Sequence, residues 1–265
     1  MLSAVVLTKN SSLTISKTLS SLAWVDELYV LDDFSTDSTR DIAKHYTSHV
    51  VKRHLNADFS AQRNFGLSLT QGSVRNVSHS DAGGDWVLFV DSDEIVSEAL
   101  QKEIRETISR RGTDQEGIHG YFLKRDDIFF GKKLQYGETA QVKLLRLAKK
   151  NAGCWKRPVH EYWDIKGRTE TLNSPLIHTA HANVVQFISD INRYTTINAE
   201  YLYKKGENSN FFSIIAYPTG KFIQNYFMRL GFIDGTAGFV MAALMSFHSF
   251  LNRAKLYLLH HPGKS

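Results

Sequence analysis

The sequence predicts an α/β protein with a mostly parallel sheet and a helical C-terminal extension. Two observations lead there. Residues 2 to 51 alternate short apolar runs with helical patterns in the order β-α-β-α-β, which implies parallel strands joined by right-handed crossovers. Farther on, Trp86-Val87-Leu88-Phe89-Val90 runs without a polar residue into Asp91-Ser92-Asp93-Glu94. An unbroken run rich in β-branched and aromatic residues reads as a strand buried on both faces. Its acids then sit at the carboxyl end of a parallel strand, where open α/β sheets bind their ligands.

Leu2 to Leu7 reads as the first strand, followed by Thr8-Lys9-Asn10. Leu13, Ile15, Leu19 and Leu22 fall near a helical period. Glu27 to Leu31 is the second strand, stopped by Asp32-Asp33. Phe34 to Thr39 is dense in cap and turn residues, and a helix follows from Arg40 to Tyr46. Val50-Val51 is a third strand. Phe65 to Gly84 reads as a polar surface-loop insertion, with a lid over a ligand as the other reading. After Glu94 a helix runs from Ser97 to Arg110, with Leu100, Ile104 and Ile108 on its buried side and charges on its solvated side. Gly120 to Arg125 and Val142 to Leu147 are further strands, with Asp126 to Gly131 between them. Val184 to Lys205 is helical, and Phe211 to Phe232 is rich in aromatics.

The totals set limits. A chain of 265 residues, 42% hydrophobic and 22% charged, has ample core and is not disordered. A single cysteine, Cys154, excludes an internal disulfide, fits a reducing compartment and reads as structural. Met1 to Leu7 reads as a strand and not as a signal peptide. A net charge of +5 suits phosphate-bearing ligands or an anionic membrane surface. It is too weak to argue for nucleic acid, and no zinc-finger spacing or RNA-binding aromatic signature is present.

Asp91 and Asp93 are two carboxylates one residue apart. Such a pair is either solvated or compensated by a cation. Mg²⁺ and Mn²⁺ take oxygen ligands, often one or two carboxylates plus substrate phosphates. The plainer reading is an acidic loop opening a helix. Asp32-Asp33, at the end of the second strand, would accept hydrogen bonds from a nucleoside, or would simply cap the next helix. No G-x-G-x-x-G or Walker sequence occurs, which weighs against dehydrogenases and P-loop enzymes.

Taken together, the strand before Thr8-Lys9-Asn10, Leu31-Asp32-Asp33-Phe34-Ser35-Thr36-Asp37-Ser38-Thr39, Phe59-Ser60-x-Gln62-Arg63-Asn64-Phe65-Gly66-Leu67 and Gly84-Asp85-Trp86 through Glu94 resemble glycosyltransferase family 2 with the GT-A fold. More narrowly, they resemble bacterial enzymes that add a sugar to the lipopolysaccharide core, of the β-1,4-glucosyltransferase type. The likeness is strong over the first 95 residues and continues more weakly to about residue 240. It implies that Thr8 and Asp32 contact a nucleotide, with Asp33 beside them, and that Arg63 and Asn64 lie in the segment lining that site. It also implies that Asp91 and Asp93 form the family's acidic motif, Asp91 near the nucleotide and both toward a metal, with Asp93 the direct ligand.

The segment Trp155 to Trp163 packs aromatics, bases and an acid together. An inverting sugar transfer needs a base for the acceptor hydroxyl, and a carboxylate in a partly apolar pocket suits it. Glu161, flanked by Tyr162 and Trp163, matches the family's His-Glu element and is the expected base. An ordinary ion pair is the other reading, Asp164 is the reserve, and His160 orients or contacts substrate. His178 is a candidate metal ligand or phosphate contact, with a hydrogen-bonded structural histidine as the alternative; His181 is the weaker of the two. Arg125 and Arg146 would meet phosphates or pair on the surface.

Gly235 to Asn252 carries no Asp, Glu, Lys or Arg. Its polar residues Ser246, His248, Ser249 and Asn252 argue against a membrane span. An interfacial or buried helical hairpin is expected, with Arg253, Lys255 and His260-His261 toward lipid head groups. A core helix or a dimer interface is the alternative.

The expected division is a GT-A catalytic domain over 1–183 and a helical extension over 184–265. The expected function is inverting transfer of a sugar, glucose from UDP-glucose, to a lipid-linked or oligosaccharide acceptor of the cell envelope. Mg²⁺ or Mn²⁺ is implied, and the expected location is cytoplasmic, peripheral on the inner face of the cytoplasmic membrane. Two rivals stand beside it. A nucleotidyltransferase would show a glycine-rich basic loop after the first strand, which Thr8-Lys9-Asn10-Ser11 lacks. A non-catalytic nucleotide-sugar-binding scaffold would have no need of Asp91, Asp93 and Glu161.

Overall fold

In the computed structural model the chain is described over residues 1–71, 86–109, 117–129, 131–179 and 184–262. Strands β1 (Leu2–Thr8), β2 (Glu27–Asp32), β3 (His49–Lys52) and β4 (Trp86–Asp91) lie parallel in the order β3-β2-β1-β4. Helices α1 (Ile15–Ser20), α2 (Thr39–Lys44) and α3 (Phe59–Gln71) fall between them in sequence. Next in the chain come β5 (Glu94–Val96), α4 (Glu98–Ser109), β6 (Ile118–Phe129), β7 (Lys132–Lys133), β8 (Lys143–Lys149), β9 (Gly153–Lys156), β10 (Tyr162–Ile165) and β11 (Arg168–His178). The sheet continues beyond β4 as β8-β6-β11-β5, with antiparallel pairing of β8 to β4, β6 to β8 and β5 to β11. The parallel half and the central β1 and β4 are those the apolar runs predict.

The alternation of side chains along β1 explains both core layers. Ala4 and Val6 face one side with Val30, Leu88 and Val90, covered by Ile15 and Leu19 of α1 and Leu100 and Ile104 of α4. Val5 and Leu7 face the other with Tyr29, Leu31, Val87 and Phe89, covered by Leu67 of α3 and by Trp155 and Trp163. Phe89 meets both tryptophans edge-on at 5.1 and 5.2 Å between ring centroids. Burying one such ring contributes roughly 1.5–3 kcal/mol. Helix α3 sits so close that a Cβ on Gly66 would lie 2.6 Å from Val5 Cγ1.

The reading of Phe65 to Gly84 as a loop needs correcting at its start. Residues 65–71 continue α3, because Leu67 is buried and Gly66 lets the helix seat on the sheet. Residues 72–84, the remainder of the expected insertion or lid, lie outside the described residues. So does His181. Cys154 is exposed on β9, unlike the structural thiol expected from sequence.

The chain divides into two compact units, Met1–Arg125 with Lys143–His178, and Asp126–Val142 with Thr179–Ser265. The segment 126–142 falls in the second of these units. That segment joins the second unit for a packing reason. Phe129 and Leu134 pack with Phe187, Ile191, Met241 and Leu244, and the buried Asp234 carboxylate accepts the amides of Gln135 and Tyr136 at 3.0 and 2.9 Å.

The second unit is built from α5 (Val184–Lys204), α6 (Phe211–Ile223) and α7 (Thr236–His260), with a π-turn at Gln224–Met228. Helix α7 packs against both α5 and α6, burying Gly238, Met241, Ala242, Leu244 and Leu256. The apolar stretch from residue 235 is thus a core helix. Lys255, expected to face lipid, instead donates to Asn192 O, Asn192 Oδ1, Thr195 Oγ1 and Thr196 Oγ1 within 2.9 Å. Among the described residues, no helix is long and apolar enough to cross a membrane.

Candidate active site

The parallel strands bring Thr8, Asp32 and Asp91 to one edge of the sheet. Thr8 lies opposite Asp32 in register, and Leu7 lies opposite Asp91. Asp32 is fully buried and accepts the Ser35 amide with both oxygens, at 3.2 and 3.1 Å. Asp33 accepts Lys9 Nζ at 2.7 Å and the Leu55 amide at 3.0 Å. Both acids therefore order their turns. Among the described residues the buried Thr8 hydroxyl has no hydrogen-bond partner, a costly state that a ligand acceptor would relieve.

Helix α3 starts where the Asp58 carboxylate accepts the Ala61 amide at 2.8 Å, as an N-cap does. That start aims Arg63 into the site. Arg63 is 2% exposed. Its Nε donates to Glu161 Oε1 at 2.8 Å and its Nη2 to Asp91 Oδ1 at 2.8 Å. The guanidinium lies 4.8 Å from the Trp155 ring centroid, a cation–π arrangement. Arg146, on β8, donates to the other Asp91 oxygen at 2.6 Å and lies 3.8 Å from Glu94 Oε1. Arg125 lies 3.9 Å from that same Glu94 oxygen. Three guanidinium groups and three carboxylates thus form one chain of pairs, Glu161–Arg63–Asp91–Arg146–Glu94–Arg125.

The electrostatics separate two neighbouring acids. Burial raises the Asp91 carboxyl, but Arg146 and Arg63 outweigh it and hold it well below the usual carboxylate range. Glu94 is fully buried, and burial raises it above the ordinary range. Arg146 pulls it back, Asp91 adds to the rise, and His178 and Arg125 do not restore it. Burial lowers the Arg146 guanidinium, but Asp91 and Glu94 more than offset this and push it upward.

Asp93 lies just past β4, and His178 Nε2 is 3.5 Å from Asp93 Oδ2. The pairing of β11 with β5 explains this approach, since His178 sits opposite Glu94 in register. Among the described residues no cluster of three or more His, Cys, Asp or Glu side chains is formed that could hold a metal. The donors nearest to one another, a carboxylate oxygen and an imidazole nitrogen, suit a hard divalent ion that takes its other ligands from phosphate and water.

Some expectations change their meaning. Each Asp91 oxygen carries a guanidinium, so Asp91 serves here as the hub of the ion-pair chain. Asn64 has both ends of its amide bound to the Trp155 backbone, at 2.9 and 2.8 Å. It clamps α3 to β9. Glu161 is held in an ion pair with Arg63. Asp164 pairs with Lys156 at 2.5 Å on the surface. Arg146, read as a phosphate or surface residue, is 5% exposed and central. Sequence reasoning missed the stack of Phe34 on His54, whose ring centroids are 3.7 Å apart beside Asp33. Phe34 takes a left-handed φ of 52° there, uncommon for an aromatic residue, and no sequence pattern announces it.

Carboxylates gathered at the carboxyl ends of adjacent parallel strands lie where open α/β proteins bind their ligands. The family model for glycosyl transferase family 2 matches residues 3–160. The chain belongs to that family and is a glycosyltransferase. An uncharacterized glycosyltransferase of Rickettsia prowazekii (strain Madrid E) is 26% identical over 96% of this chain and 86% of its own length. A lipopolysaccharide core biosynthesis glycosyltransferase, LpsC, of Rhizobium meliloti (strain 1021) is 22% identical over 98% of this chain and 93% of its own. Among solved structures, S. aureus TarS 1-349 in complex with UDP-GlcNAc is similar at 17% identity, covering 98% of this chain and 91% of that one with a TM-score of 0.41.

Proposed function

We propose that this glycosyltransferase moves a hexosyl group, glucose from UDP-glucose, to a saccharide of the lipopolysaccharide core or another cell-envelope acceptor, with inversion. The observation that carries the reading is the ion-pair chain at the sheet edge. It links Glu161, the residue proposed to accept a proton, to the acidic motif through one guanidinium. The narrower acceptor class is supported by the likeness to LpsC, itself named for core biosynthesis.

In this reading Thr8 and Asp32 bind the nucleoside, Thr8 through its buried hydroxyl, unpartnered among the described residues. Asp93 and His178 would hold Mg²⁺ or Mn²⁺, which when bound neutralises charge on the leaving diphosphate. Glu161 takes the proton of the acceptor hydroxyl. Arg63 fixes the direction in which that carboxylate points. The acceptor is lipid-linked or an oligosaccharide, and the enzyme works peripherally at the inner face of the cytoplasmic membrane.

Calorimetric titration with a panel of nucleotide-sugars, with and without Mn²⁺, tests this. Tight metal-dependent binding of UDP-glucose is expected. Binding of no nucleotide-sugar would overturn it.

A further inference from the structure

The second unit leaves an unusual surface in water. Tyr226 meets Phe222, Phe227, Phe232 and Phe239, with ring centroids between 5.1 and 6.2 Å apart. Around this cluster, at the π-turn that ends α6, Phe227 is 55% exposed, Met228 74%, Leu230 42%, Phe232 47% and Ile233 49%. Leu230 holds a left-handed φ of 58°, which a branched apolar residue adopts only under constraint. The outer side of α6 continues the patch with Phe211, Phe212 and Ile215. A contiguous apolar patch on a folded surface marks an interaction site.

Charge decides the occupant. Between residues 208 and 262 the bases are Lys221, Arg229, Arg253 and Lys255, and the only acid is Asp234. Asp234 is buried and spent on backbone amides. Arg229 lies within the exposed turn itself. Glu138, from the 126–142 segment, pairs with Lys221 at 2.8 Å, which leaves Arg229 and Arg253 in excess over it, and apolar aromatics interleaved with an excess of bases complement an anionic lipid surface.

We propose that the turn 224–233, with the outer side of α6, is the element that enters an anionic bilayer interface, and that α7 is not. The proposal deepens the peripheral-membrane part of the function given above and rests on it. The aromatic cluster fixes the turn so that Phe227, Met228 and Phe232 point outward together. Arg229 then lies at the level of the phosphates.

The test is co-sedimentation of the full chain with vesicles of phosphatidylcholine alone and of an equimolar mixture with phosphatidylglycerol. Wild-type chain should partition to the mixed vesicles and hardly to phosphatidylcholine. The double variant F227S/M228S should partition about tenfold less or weaker still, while V185S, at an exposed site on α5, should match wild type. UDP-glucose binding by each variant, measured in parallel, separates loss of membrane contact from loss of folding or of the donor site. Equal partitioning of wild type and F227S/M228S would overturn the proposal. So would a wild-type dimer in sedimentation velocity that F227S/M228S dissolves, since the patch would then be covered by a second copy.

Discussion

Arg63 holds Glu161 by a single Nε hydrogen bond of 2.8 Å, and the same guanidinium grips Asp91 at 2.8 Å. The proposed base and the acidic motif are therefore fixed by one side chain. Replacing Arg63 by Met leaves two half-buried carboxylates without that partner. A loss of about 3–5 kcal/mol is expected, read as a lower urea midpoint at unchanged slope. Arg63→Lys should recover part of the stability but little of the turnover, because an ammonium cannot reproduce the fork.

Glu161→Gln keeps an acceptor for Arg63 Nε and removes the base. Turnover should fall about 10²–10⁴-fold, with donor affinity near wild type by calorimetry. Transfer at the wild-type rate would move the base elsewhere.

Asp93→Ala should abolish the response of turnover to added Mn²⁺, and His178→Ala should raise the Mn²⁺ concentration needed for half-maximal rate. A Mn²⁺ titration of initial rates reads both. An unchanged titration in both variants would remove the two residues from the metal role.

Gly66→Ala tests the seat of α3. The added methyl meets Val5 Cγ1 at 2.6 Å and Leu31 Cδ1 at 3.0 Å. Overpacking of this kind costs about 1–3 kcal/mol, and Arg63, less than a turn away, should shift with it. Both the denaturation midpoint and the turnover number should drop.

Glu138 gives a pH dependence in the second unit. Burial raises its carboxyl, but hydrogen bonds from Lys221 and Asn225, with the charges of Lys221 and Arg229, outweigh that and lower it. A folded-state pKa below the unfolded one contributes stability above the unfolded value, and that stability is lost as pH falls through the folded value. Melting temperature should therefore decline on acidification below the ordinary glutamate range. Glu138→Gln should flatten this decline.

The strands of the parallel half were legible because buried parallel strands must be apolar on both faces, and β1 and β4 are. The acids at their ends were legible for the same reason, since polarity returns where the sheet stops. Helix α3 was cut short in the reading because Gly66, Ser68, Thr70 and Gln71 look like loop residues. Packing on Val5 and Leu31 makes that glycine a contact surface instead. Arg146 was not legible as a central residue, because nothing local distinguishes a buried arginine from an exposed one. Its burial follows from β8 pairing antiparallel to β4, a contact across more than fifty residues of sequence. The clamp made by Asn64 was not legible for a like reason: its partner, Trp155, lies far away in the chain.

The distance along the chain between Arg63 and Glu161, 98 residues, has a kinetic meaning. Pairs so far apart close only after the intervening loops have been gathered, and the entropy of that gathering slows folding. Strands β1, β2 and β3 pair across only 24 and 20 residues of sequence, but the ion-pair chain needs β4, β8 and the β9–β10 hairpin already docked. Catalytic competence is then the last property a refolding chain acquires, and recovered turnover reports a finished fold where recovered strand signal does not.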